Sequence, residues 1–127
     1  MNLVAYLFVQ GERTGAAEAV LARDSEWAAP LLWRSEWRNV LGGYMRSGAL
    51  TIEDAIAYVS AAEALFRGRE HLIEGERVME LVARSAFSAY DCECVALAEA
   101  LAVPLVTSDR RILKAFPEWS VAPESLA

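Results

Sequence analysis

Short apolar runs alternate with longer stretches of helical periodicity along the chain, and no other feature constrains the fold as strongly. Leu3 to Phe8 is a short apolar run. Glu12 to Arg23 reads as a helix with Ala16, Ala17, Val20 and Leu21 on one face. A strand is expected at Glu26 to Ala29, stopped by Pro30. Leu31 to Arg46 carries Trp33, Trp37, Val40, Leu41 and Tyr44 at helical spacing, and Gly48 closes that helix. Thr51-Ile52-Glu53-Asp54 is a capping box opening a helix that runs to about Phe66. His71 to Ile73 is a strand candidate, Glu76 to Ser85 a helix, and Ser88 an N-cap for a helix reaching Ala102. Pro104 to Thr107 reads as a compact strand, Arg110 to Phe116 as a short helix, and Trp119 to Val121 as a last strand. Such alternation predicts an α/β domain with a short, mostly parallel sheet flanked by helices that dominate by length.

A chain of 127 residues suits one domain, and 55% apolar residues suffice for a core. No apolar run approaches the roughly 20 residues of a membrane span, and no basic segment opens the chain, so no membrane association and a cytoplasmic location are expected. A net charge of −6 excludes a generic basic nucleic-acid coat. It suits a site whose carboxylates hold cations, and equally a protein with a basic partner. Cys92 and Cys94 point roughly 200° apart on a helix and read as reduced, partly buried apolar residues. There is neither a phosphate-binding P-loop nor a dinucleotide fingerprint. The one histidine, His71, reads as a strand-end residue. Gly42-Gly43 suggests close packing inside a helix, and Trp27, Trp33, Trp37 and Trp119 suggest core or dimer contacts.

Three carboxylates fall in unusual places. Glu36 has Leu32, Trp33, Asn39 and Val40 as helical neighbours, where an unpaired carboxylate is costly and needs a cation or hydrogen-bond donors; a core-edge glutamate paired with an arginine is the alternative use. Asp91 lies on an apolar face with Cys94, Val95, Ala98 and Leu101, but is also the N3 residue of a Ser-x-x-Asp cap. Asp109 directly follows the strand Pro104–Thr107, where an N-cap aspartate is the common use. Clustered carboxylates repel one another, and hard divalent cations relieve the repulsion. Such sites suit phosphodiester hydrolysis.

The stretch Ser88-Ala89-Tyr90-Asp91-Cys92-Glu93-Cys94-Val95-Ala96-Leu97-Ala98 resembles the segment of PIN-domain ribonucleases that carries their third acid. Val103-Pro104-Leu105-Val106-Thr107-Ser108-Asp109-Arg110-Arg111 resembles their strand followed by a T-x-D element. Glu36, within Pro30-Leu31-Leu32-Trp33-Arg34-Ser35-Glu36, resembles their second acid. The resemblance covers nearly the whole chain and is to the VapC-like toxins of type II toxin–antitoxin pairs.

It implies a PIN-like three-layer α/β fold and a Mg²⁺- or Mn²⁺-dependent endoribonuclease acting on RNA phosphodiester bonds. It also implies a homodimer and a cognate antitoxin that blocks the site. Glu36, Asp91 and Asp109 would be the catalytic metal ligands, supported by Asn2, Thr107 and Ser108. Arg110 or Arg111 would steer a substrate phosphate. The family opens with a strand ending in Asp-Thr-Asn, whereas Met1-Asn2-Leu3-Val4-Ala5-Tyr6-Leu7 resembles only the last part of that motif. The first strand and first acid of the family therefore have no counterpart in these residues. Two further readings stay open: a non-catalytic PIN-like module that binds protein or RNA without cleavage, and an unrelated α/β domain that forms oligomers through its tryptophans.

Overall fold

A computed structural model describes residues 14–126 of the chain. The expectations that fall on Asn2 and on the apolar run Leu3–Phe8 lie outside the described residues. The elements in order are α1 (Thr14–Arg23), β1 (Ala29–Pro30), α2 (Trp33–Arg46), α3 (Ile52–Leu65), β2 (Glu70–His71) and α4 (Gly75–Ala83). There follow α5 (Ala89–Leu101), β3 (Leu105–Val106), α6 (Arg110–Ala115), β4 (Ser120–Val121) and α7 (Pro123–Leu126). The fold is mixed α/β, mostly helical, with short parallel strands. Among the described residues, no helix is long and apolar enough to cross a membrane.

The strands form two separate parallel pairs among the described residues. In one, Ala29 lies opposite Glu70 and Pro30 opposite His71; in the other, Leu105 lies opposite Ser120 and Val106 opposite Val121. β1 includes Pro30 instead of stopping before it. The amides of Ala29 and Leu31 donate to the Arg69 and His71 carbonyls at 3.1 and 3.0 Å. The intervening residue faces away from β2, so a missing N–H there removes no ladder bond. α7, over Pro123–Leu126, had no counterpart in the periodicity.

The tryptophans explain why α2 forms where it does. Trp33, Trp37 and Leu41 recur at helical spacing and are buried against Ala55, Ala62 and Phe66 of the α3 hairpin partner and its end. The Trp33 ring meets Phe66 at 4.8 Å between centroids. The indole N–H groups are satisfied: Trp33 donates to Glu70 Oε2 at 3.0 Å and Trp37 to the Tyr58 carbonyl at 3.2 Å. Arg34 grips both Glu70 carboxylate oxygens, at 2.6 and 2.7 Å, and Glu63 at 2.9 Å, tying α2 to β2 and α3. Thr51 and Asp54 form the expected reciprocal capping box on α3.

A second cluster joins α4 and α5 through Val78, Leu81, Cys92, Val95 and Ala96, with Leu105 and Phe116 packed against it. α5 touches both β1 and β3, so it spans the two strand pairs.

Two backbone positions are mismatched to their residues. A Cβ on Gly43, exposed inside α2, would meet nothing within 4 Å, so this glycine serves no close packing, contrary to the sequence expectation. Ala102 caps α5 in the left-handed region at φ 55°, where a side chain is strained. Gly43→Ala and Ala102→Gly are each expected to stabilise the protein by about 1 kcal/mol, read as a rise in the urea midpoint at unchanged m-value.

Candidate acidic site

The site is built at the N-terminal turns of α2 and α5. α2 leaves β1 through the turn Leu31–Leu32 and places Glu36 in its first turn, between Trp33 and Trp37. Because both tryptophans are buried, the Glu36 carboxylate is held half-buried instead of reaching freely into water. Ser88 caps α5 by accepting the Asp91 amide at 3.2 Å, which sets Asp91 in the first turn. Glu93 follows two residues later.

Burial raises the Glu36 carboxyl above its ordinary value of 4.5, and the nearby carboxylates of Asp91 and Glu93 push it the same way. These acids of α2 and α5 therefore act on one another across the helix junction. Cys94 shares the environment: burial, reinforced by Glu36, Asp91 and Glu93, holds its thiol up to about 11. A thiol held that high stays protonated at neutral pH in the metal-free protein.

Other internal acids have cations or donors. Glu70 and Glu63 pair with Arg34, and Glu99 and Glu80 with Arg77. Glu36, Asp91 and Glu93 differ, since none of their carboxylates makes a hydrogen bond or ion pair with any described residue. Glu93 was not singled out from sequence. Its signal is a second acid in the opening turns of the helix that already carries Asp91.

Asp109 is placed differently. It caps α6, its side chain accepting from the Arg111 and Ile112 amides at 2.9 and 3.4 Å. The Arg111 guanidinium sits 3.3 Å from Oδ2, and this contact, with the backbone donors, holds the Asp109 carboxyl below its ordinary value. Arg111 also lies over the Phe87 ring at 5.6 Å. Thr107 is buried, and its hydroxyl accepts the Asp109 amide at 3.1 Å, fixing the turn after β3. Ser108 lies within that turn, and Arg110 is exposed at the start of α6. The structure thus brings Glu36 within electrostatic reach of Asp91 and adds Glu93, while Asp109 is engaged by its own helix.

Among the described residues, no three Asp, Glu, His or Cys side chains stand together as a cage for a metal ion. The donors present are nonetheless carboxylate oxygens, and Mg²⁺ commonly binds through one or two carboxylates while keeping several waters. The Glu36–Asp91 pair fits that mode.

The pH behaviour of Glu36 follows from the direction of its shift. A carboxyl raised in the folded state binds its proton more tightly there than in the unfolded chain. Ionising it therefore costs stability, beginning above about pH 4.5 and complete once the pH passes its folded pKa. Glu36→Gln is expected to raise the melting temperature at pH 7 without divalent cations and to lose that advantage below pH 4.5. Equal melting temperatures at both pH values would show that Glu36 carries no such cost.

No protein-family model matches the chain, and no curated protein matches it.

Proposed function

We propose that the protein is a Mg²⁺- or Mn²⁺-dependent endoribonuclease of the PIN-like, VapC toxin kind, with Glu36 and Asp91 as its principal metal ligands. The observation that carries this reading is the group of mutually repelling carboxylates, Glu36, Asp91 and Glu93, at the junction of α2 and α5. Retaining repelling acids beside a buried tryptophan face is unfavourable for the apo fold and is explained by a cation. When bound, such an ion activates water and stabilises the leaving oxygen of a phosphodiester.

The chain's own contributions are positional. The α2 tryptophans fix Glu36, and the Ser88 cap fixes Asp91. Thr107 sets the turn bearing Asp109, which joins the ligand set in this reading once its hold on Arg111 is exchanged for the ion. Arg111, or the exposed Arg110, then faces the RNA phosphate. Homodimerisation and inhibition by an antitoxin belong to the same proposal. The exposed pair Ile52 and Ile56, one turn apart on α3, offers an apolar contact for either partner.

The test uses a labelled RNA pool with Mn²⁺ and two Asp109 variants. Asp109→Ser preserves an N-cap, whereas Asp109→Ala removes it at a cost of about 1 kcal/mol. If Asp109 is a ligand, both variants lose cleavage and only Ala loses stability. If it is only a cap, the Ser variant cleaves like the parent. No Mn²⁺-dependent cleavage by the parent would favour the non-catalytic binding module.

A further inference from the structure

The two carboxylate oxygens of Asp109 have different tasks. Oδ1 accepts the Arg111 and Ile112 amides, at 2.9 and 3.4 Å, and is the oxygen that caps α6. Oδ2 is held by the Arg111 guanidinium, at 3.3 Å. An ion that takes Oδ2 therefore displaces a side chain and leaves the helix start intact. The displacement is easy. The Arg111 side chain is 76% exposed, and a solvent-exposed ion pair favours its paired state by no more than about fivefold.

Arg111 also has a second resting place. Its guanidinium lies over the Phe87 ring, 5.6 Å from the centroid. That ring is itself fixed. It packs on Phe116 at 5.6 Å, and the Phe87 amide donates to Ser85 Oγ at 3.3 Å. Phe87 immediately precedes Ser88, which caps α5 through the Asp91 amide. Arg111 thus spans two acid-bearing turns, with Asp109 at one end and the approach to Asp91 at the other. Released from Oδ2, its guanidinium stays beside Phe87 with its donors open. Arg110 has no such hold: its side chain makes no hydrogen bond, ion pair or ring contact among the described residues.

We propose that Arg111 is an exchangeable counter-ion: it neutralises Asp109 while the site holds no cation, and once a divalent cation takes Asp109 Oδ2 it becomes the donor to the substrate phosphate, so that metal and phosphodiester binding reinforce each other. Arg111 has this part only within the nuclease reading, on which the proposal rests. The reinforcement is reciprocal, because a phosphate that captures Arg111 frees Oδ2 for the ion by the same factor. A guanidinium suits the exchange, since it offers carboxylate and phosphate the same planar pair of donors. Of the two neighbouring arginines, Arg111 and not Arg110 is then the one that meets the substrate.

Calorimetric titration of the full chain, of Arg111→Gln and of Arg110→Gln tests this. The titrants are Mn²⁺ alone and, in saturating Mn²⁺, a uridine dinucleotide whose leaving oxygen is replaced by methylene. Arg111→Gln keeps both cap bonds, which run to backbone amides. It is expected to bind Mn²⁺ about two- to fivefold more tightly than the parent and the dinucleotide about tenfold more weakly. Arg110→Gln removes the same charge one residue away and is expected to shift either affinity by less than about twofold. Equal shifts in the two variants overturn the proposal, because net charge alone then explains them. So does unchanged Mn²⁺ affinity in Arg111→Gln, or tighter Mn²⁺ binding without weaker dinucleotide binding. Each of these leaves the nuclease reading standing as long as the parent binds Mn²⁺. No Mn²⁺ binding by any of the three proteins overturns the nuclease reading and the exchange with it.

Discussion

Asp91→Asn is expected to lower Mn²⁺-dependent RNA cleavage by about a hundredfold or more, while leaving the metal-free protein at least as stable as the parent. Two contributions set the size. A metal ion supplies several kcal/mol of transition-state stabilisation, and each 1.4 kcal/mol is tenfold in rate. Asparagine keeps the shape but replaces an anionic ligand with a neutral one. The α5 cap survives because the Ser88 hydroxyl accepts the backbone amide of residue 91, not its side chain. Apo stability holds because the variant relieves repulsion on Glu36. Adding excess Mn²⁺ should raise the melting temperature of the parent and hardly that of the variant, since only a ligand that binds the folded state stabilises it. This combination separates a cation site from a structural acid. Lost cleavage with lost stability would mark Asp91 as part of the fold; cleavage at the parent rate would remove it from the proposed site.

Some of this arrangement is visible in the residue order and some is not, for identifiable reasons. The helix spacing of Trp33, Trp37 and Leu41 predicts α2 because one face of that helix must be buried. Ser88 and the Thr51–Asp54 pair predict helix starts because capping is local chemistry. Strand limits are less legible. Whether Pro30 ends β1 depends on which of its edges is paired, and that is decided forty residues away by Arg69 and His71. The inward setting of Glu36 follows from its apolar neighbours, but its association with Glu93 is a tertiary fact of two helices meeting. Asp109 shows the converse limit: a residue after a strand and before a helix satisfies both a cap and a ligand pattern, and in the structure its carboxylate is taken by the cap and by Arg111.

The largest effect on stability is expected at Trp37. It is 1% exposed, directly follows Glu36, and packs between α2 and α3. Trp37→Ala should cost about 3–5 kcal/mol, combining lost apolar burial with the cavity left behind. That is a large share of the roughly 5–15 kcal/mol that holds a domain together. It also leaves the Tyr58 carbonyl without the indole donor at 3.2 Å. Trp37→Phe refills most of the volume but restores no donor, so its cost should fall between parent and alanine, at about 1–3 kcal/mol. Urea denaturation of the three proteins tests that order. The same series probes the site. If the buried tryptophans are what hold Glu36 against the α5 acids, Trp37→Phe should keep the pH-dependent gain of Glu36→Gln, whereas Trp37→Ala should weaken it as α2 loosens. An undiminished gain in the alanine background would mean that Trp33 alone fixes the carboxylate, and would move the anchor of the site from the core of α2 to its first turn.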